Sequence, residues 1–191
     1  MEIKYQVKDA ADLERRLRER FGSAGFSGPV MESDTFFQHP CRDFVQTDEC
    51  LRLRERRLSE GAFEHTLTYK GPRIDTSTKT RLETEMPITE PEQWESLLTA
   101  LGFRRWASVQ KFRRRMPLVV DGRHVEIVLD TLPALPEPCR LFAEMETLAG
   151  ESELDECRSL ILGIAGQLAL GEPIRDSYLK LVLAQSTKPV A

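Results

Sequence analysis

An α+β fold with an antiparallel sheet is the reading this chain supports. Ionisable and apolar side chains alternate with a period of two in segment after segment, helical periodicity is confined to a few short stretches, and no low-complexity linker divides the chain. The elements run strand, helix, several strands, helix, several strands, helix, in a loose two-fold echo. One domain, 1–191, is expected, and a domain of this size buries roughly 70% of the surface its unfolded chain exposes.

In residues 1–8, Ile3, Tyr5 and Val7 point one way and Glu2, Lys4 and Gln6 the other, as in a half-buried strand. Asp9 caps a helix over 9–21, in which Leu13, Leu17 and Phe21 recur every fourth position before Gly22 stops it. Residues 22–33, with Gly, Ser and Pro, read as a loop. A strand-rich block follows from about 34 to 86, broken at Gly61 and at a Lys70-Gly71-Pro72 turn. Thr89 and Glu92 have the spacing of a capping box, ahead of a helix carrying Trp94, Leu97, Leu98 and Leu101 and ending at Gly102. Strands are expected over roughly 104–116, 118–130 and 139–148, with Asp121-Gly122 as a tight turn near the start of the second. A third helix, about 152–169, shows Leu154, Ile161, Ile164 and Leu168 on one side; a last short helix carries Tyr178, Leu181 and Val182 as packing residues.

Composition excludes several functions. A net charge of -4 gives no basic excess, so a nucleic-acid surface is not expected. The N-terminus is charged at once and no apolar run approaches a membrane span, so a cytoplasmic protein without a membrane partner is expected. Cys41, Cys50, Cys139 and Cys157 lack CxxC spacing and read as reduced, buried thiols. His39, His65 and His124 lack metal-ligand spacing to one another; only His39, before Pro40, is placed to meet a ligand. The Arg/Glu run from Glu14 to Arg20 reads as a solvated helix face, and Gly71-Pro72 lacks the spacing of a phosphate-cradling loop.

The strands carry the chemistry. Arg52 and Arg54 alternate with Leu51 and Leu53, and Thr66, Thr68 and Lys70 with Leu67 and Tyr69; Arg81, Glu83 and Glu85 share one face, as do Lys111, Arg113 and Arg115, Glu126 and Asp130, and Glu144 and Glu146. A wet sheet face normally mixes Thr, Ser, Gln and Lys, whereas here doublets of Arg or Lys and doublets of Glu recur. If such a face is turned inward its charges need partners, because isolated buried ions are costly. A bound polyanion with a divalent cation supplies them. Guanidinium forks match phosphate oxygens, and hard carboxylate oxygens suit Mg²⁺ or Mn²⁺.

These residues resemble the CYTH superfamily, which includes class IV adenylyl cyclases, thiamine triphosphatases and inorganic triphosphatases. The resemblance spans nearly the whole chain and rests on Glu2-x-Lys4, Leu51-Arg52-Leu53-Arg54, Leu67-Thr68-Tyr69-Lys70-Gly71-Pro72, Arg81-x-Glu83-x-Glu85, Lys111-x-Arg113, Asp130 and Glu144-x-Glu146. The stretch 39–49 and Ser177-Tyr178-Leu179 look most like the class IV cyclase-type branch. The family signature ExExK is present only in its second half: with Lys4 as the lysine, the first acid would precede Met1, so either the natural start lies upstream or this member lacks one carboxylate.

The resemblance implies an eight-stranded antiparallel tunnel, a closed barrel with helices outside. It implies that Arg52, Arg54, Lys70, Arg81, Lys111 and Arg113 bind the triphosphate, that Glu2, Glu83, Glu85, Glu144 and Glu146 bind metal, and that Lys4, Glu85 and Asp130 serve catalysis. Mg²⁺ or Mn²⁺ is the implied cofactor, the substrate ATP, thiamine triphosphate or tripolyphosphate, and a homodimer an implied assembly. Cyclase, phosphohydrolase and non-catalytic nucleotide or polyphosphate binder all remain open at this point, since they share the same charges.

Overall fold

The computed structural model describes residues 1–22, 25–58, 61–73 and 81–186. In chain order the elements are β1 (Glu2–Gln6), α1 (Ala10–Phe21), β2 (Val30–Gln38), β3 (Cys50–Arg57), β4 (Phe63–Arg73), β5 (Arg81–Ile88), α2 (Pro91–Ala100), β6 (Arg104–Val120), β7 (Arg123–Thr131), β8 (Leu141–Glu146), α3 (Leu154–Gln167), β9 (Pro173–Ile174) and α4 (Tyr178–Ser186). Positions 74–80 of the expected strand-rich block, and 59–60 before Gly61, lie outside the described residues.

The strand order is β5-β4-β3-β2-β6-β7-β8-β1-β9. This corrects the expected closed barrel of eight strands: there are nine, and among the described residues the order runs open from β5 to β9. Alternation of period two is the same in an open and a closed sheet, and closure depends on stagger between strands, which the pattern does not encode. The ninth strand is only two residues long, pairing Tyr5 with Pro173 and Lys4 with Ile174.

The described residues form two compact units, one of 1–22, 25–29 and 112–177, the other of 30–58, 61–73, 81–111 and 178–186, so β6 begins in the second and continues in the first. In the first unit, Tyr5, Val7, Met116, Leu118, Val125, Ile127, Leu129, Ala143 and Met145 form the apolar sheet face, covered by Leu13 and Leu17 of α1 and Ile161, Ile164 and Ala165 of α3. In the second, Phe37, Leu51, Leu53, Leu67 and Ile88 pack with Leu98 of α2 and with Phe44, flanked by Tyr69, Trp94 and Phe103. In each unit the apolar strand positions lie under helices, leaving the ionisable positions on the opposite face.

Local chemistry accounts for the boundaries. Asp9 caps α1 by accepting from the backbone N–H of Ala11 and Asp12, and Gly22 closes it at φ 61°. Asp121 and Gly122 take φ 50° and 77°, as a two-residue hairpin requires, and join β6 to β7 instead of lying inside the second strand. Pro117, opposite Glu126, does not break β6, which runs for 17 residues. Lys70-Gly71-Pro72 is not a turn either: β4 passes through it with a register shift between Lys70 and Arg73. β2 begins at Val30, inside the expected loop, and the Thr89 capping box is not made, since Glu90 is the N-cap without a side-chain bond and Pro91 opens the helix. Among the described residues no helix is long and apolar enough to cross a membrane.

Leu17 is fully buried beneath α1. Leu17→Ala is expected to lower the free energy of unfolding in urea by about 3 kcal/mol; a loss below about 0.5 kcal/mol would contradict this account of the first unit's core.

Candidate functional site

In the first unit the register builds an acidic row. Glu2 on β1 lies opposite Glu146 on β8, and Glu146 lies opposite Glu126 on β7, so three carboxylates stand side by side on the charged face. Like charges directly opposite one another in a sheet are destabilising. One step along, Lys4 faces Glu144, which faces Val128. Single ligand oxygens of Glu2, Glu144 and Glu146 all lie within 4.8 Å of one another. Burial, then the charge of Glu2, with Glu144 and Glu126 adding to it, pushes the Glu146 carboxyl up to about 6 against the pull of Arg113. Hard oxygens at this spacing are a donor set for Mg²⁺ or Mn²⁺.

Around this trio the other charges are fixed by direct pairing. Arg113 donates from Nε to Asp130 Oδ1 at 2.8 Å, and from Nη2 to Asp130 Oδ2 and Glu144 Oε2, both at 2.6 Å. Asp130, 0% exposed, therefore grips a guanidinium whose other contact orients Glu144. Arg115 pairs with Glu126. Lys4, 1% exposed, donates from Nζ to the Asp176 carbonyl at 2.5 Å.

The second unit carries the basic face. Arg54 makes a bidentate pair with Asp34, Nε to Oδ1 at 2.6 Å and Nη2 to Oδ2 at 2.8 Å, and its Nη1 lies 3.1 Å from Glu32. Lys111 Nζ is 3.2 Å from the same Glu32 oxygen and 5.3 Å from the centre of the Tyr178 ring. Burial alone would raise the Asp34 carboxyl, but Arg52, Arg54 and Lys111 hold it well below the usual carboxylate range. Arg52 is held more loosely: Nη1 lies 3.5 Å from Asp34, Nη2 lies 3.4 Å from the Thr68 hydroxyl, and its buried Nε finds no hydrogen-bond partner among the described residues. Thr68 in turn donates to Glu85 at 3.2 Å, Lys70 pairs with Glu83 at 2.8 Å, and Arg81 Nη1 donates to the Asp48 carbonyl at 3.3 Å.

Of the residues expected to bind metal, Glu2, Glu144 and Glu146 come together in the first unit. Glu83 and Glu85 belong to the second, paired as described. Of those expected to bind phosphate, Arg52, Arg54, Lys70, Arg81 and Lys111 lie in the second unit and Arg113 in the first. Glu32 was not anticipated because the expected loop over 22–33 covered it, and Asp34, at the start of the expected strand block, was not singled out; on β2 the two share a face with Phe36. His39 is a turn residue here: its Nδ1 accepts from the backbone N–H of Cys41 and Arg42, and its ring meets Phe44 and Phe103. Of the cysteines only Cys157 is buried, while Cys41 and Cys139 are exposed, against expectation; both sit in bends or turns between elements. Cys50, half-buried, shares the basic face of β3.

The first unit's charged face thus groups Glu2, Glu144 and Glu146, and the second's carries Arg52, Arg54 and Lys111 with Glu32 and Asp34. The chain belongs to the CYTH family, whose domain model matches residues 1–174. It is 30% identical over 184 residues to a Methanocaldococcus jannaschii protein named "Putative adenylate cyclase", covering 94% of this chain and 98% of that one. The solved structure of the PH1819 protein from Pyrococcus horikoshii OT3 is similar at a TM-score of 0.78 and 35% identity, covering 96% of this chain and 98% of that one. A putative adenylyl cyclase from Hippeastrum, with a dominant triphosphatase activity, matches at a TM-score of 0.64 over 98% of this chain and 97% of its own; at 15% identity it shows the fold alone.

The Glu146 shift has a definite sign. Its folded value of about 6 exceeds the ordinary 4.5, so the folded chain holds the proton longer and stability falls as pH rises through that interval. Asp34 works the opposite way, stabilising above its ordinary 3.8 and losing that contribution only in more acid solution, so the two windows do not overlap. In the presence of a chelator at pH 7.5, Glu146→Gln is expected to stabilise the protein by about 2 kcal/mol in urea. A destabilising effect would contradict the assigned repulsion.

Proposed function

We propose that the chain is a divalent-metal-dependent enzyme acting on a triphosphate, of the class IV adenylyl cyclase type, converting ATP to cyclic AMP and pyrophosphate. The observation that carries this reading is the carboxylate trio Glu2, Glu144 and Glu146, within 4.8 Å and arranged on adjacent strands against their mutual repulsion. The Methanocaldococcus jannaschii relative named "Putative adenylate cyclase" supports the same choice. Glu2, Glu144 and Glu146 would hold Mg²⁺ or Mn²⁺, which when bound neutralises phosphate charge and acidifies a nearby hydroxyl.

The chain's own residues supply the rest. Arg113, fixed by Asp130, keeps Glu144 turned toward Glu146 and Glu2. Arg52, with long contacts and a buried Nε that finds no hydrogen-bond partner among the described residues, is the basic side chain best able to turn its donors to phosphate oxygens. In the reaction the ribose 3′-oxygen of ATP forms a bond to the α-phosphorus, the bond from that phosphorus to the bridging oxygen of pyrophosphate breaks, and the hydroxyl proton passes to a carboxylate.

Purified protein incubated with ATP, thiamine triphosphate or tripolyphosphate, each with Mg²⁺ or Mn²⁺, with products separated by chromatography, is expected to yield cyclic AMP and pyrophosphate from ATP. Orthophosphate as the product would replace the cyclase reading with a phosphohydrolase, and tight binding without turnover would replace both with a binding module. In the same assay Arg52→Ala is expected to raise KM about tenfold with a smaller change in kcat; unchanged KM would remove Arg52 from the binding face.

A further inference from the structure

We infer that Glu32 and Asp34, the two buried carboxylates of β2, are positioning residues of the basic face, acting through Arg54 and Lys111; the inference rests on the triphosphate reading above. Glu32 is 1% exposed and Asp34 is 5% exposed, and the register sets Asp34 directly opposite Arg54.

A guanidinium presents its N–H donors in a rigid planar fork. One contact leaves that plane free to swing, whereas two parallel bonds along one edge fix it. Asp34 takes the Nε and Nη2 edge of Arg54 in this way, and Glu32 lies against Nη1. A lysine has no plane to fix and can be placed only by its neighbours. Lys111 is placed by Glu32 and by the face of Tyr178. Since Arg54 and Lys111 meet the same oxygen of Glu32, the two cations are tied to each other.

Charge alone gives no reason for this arrangement, because each buried carboxylate subtracts from the potential that attracts an anion. The two accounts differ in sign. If Glu32 and Asp34 only neutralise buried cations, Asp34→Asn adds one net positive charge at nearly constant volume, and an anion binds more tightly. If they position Arg54 and Lys111, the same change weakens binding despite the added charge, and does so only while Arg54 is present.

Tripolyphosphate titrated calorimetrically without divalent metal, into wild type, Asp34→Asn, Arg54→Met and the double variant, separates them. Asp34→Asn is expected to bind about tenfold more weakly, with the double variant no weaker than Arg54→Met alone. Equal or tighter binding by Asp34→Asn, or losses that add in full, would overturn the inference. Should Asp34→Asn fail to fold, Glu32→Gln is read through Lys111 in the same manner: weaker binding that disappears in a Lys111→Met background supports positioning, and tighter binding overturns it. Should wild type bind tripolyphosphate only with Mg²⁺, the same four proteins are compared with Mg²⁺ present; wild type that binds neither without nor with Mg²⁺ overturns the triphosphate reading together with the inference, whereas wild-type binding with a tighter Asp34→Asn overturns the inference alone.

Discussion

Ionised side chains taken out of water must find an opposite charge, and in this protein that requirement shapes each charged sheet face. Arg113 is enclosed by Asp130 and Glu144, and Arg54 by Asp34 and Glu32. Pairs of this kind contribute little net stability, because desolvation offsets much of their attraction, yet removing one partner leaves a buried charge and is strongly destabilising. Their presence on adjacent strands fixes side-chain geometry more than it adds to the free energy of folding. The apolar clusters under α1 and α3, and under α2, carry the stability.

Two kinds of charged group emerge once these pairs are set aside. Some are spent on internal partners at short distance, such as Arg113 and Arg54. Others are under-compensated: Glu146, whose proton is held to about pH 6 by burial and by its acidic neighbours, and Arg52, whose contacts are long and whose Nε finds no hydrogen-bond partner among the described residues. A cation beside the first and an anion beside the second would relieve what the protein leaves unresolved. That complementarity, more than the number of charges, is why a metal with a triphosphate is the ligand chemistry proposed for this CYTH protein.

Much of this was legible in the order of residues. Alternation placed Glu2, Lys4, Glu144, Glu146, Lys111 and Arg113 on strand faces away from Tyr5, Met145 and Met116, because a period of two leaves no other choice once one face is apolar. Helices with a clear apolar stripe, such as that of Leu13 and Leu17, were equally plain. What failed did so where a residue has more than one structural use. Gly71-Pro72 reads as a turn and is accommodated inside β4 by a register shift; the expected boundary between strands at 116 and 118 falls inside β6, at Pro117; the Gly, Ser and Pro of 22–33 drew a loop over the start of β2 and with it concealed Glu32. Pairing partners are the other gap. That Arg113 grips Asp130, and Lys70 grips Glu83, depends on which strands lie side by side, and alternation within one strand carries no information about its neighbour.

The central claim is that Glu2, Glu144 and Glu146 form one cation site. Mn²⁺ titration followed by electron paramagnetic resonance at pH 7.5 addresses it directly, comparing wild type with Glu146→Gln. The account predicts a site in the wild type that loses at least about tenfold in affinity in the variant. Equal Mn²⁺ binding by the two proteins, or none by the wild type, would contradict it.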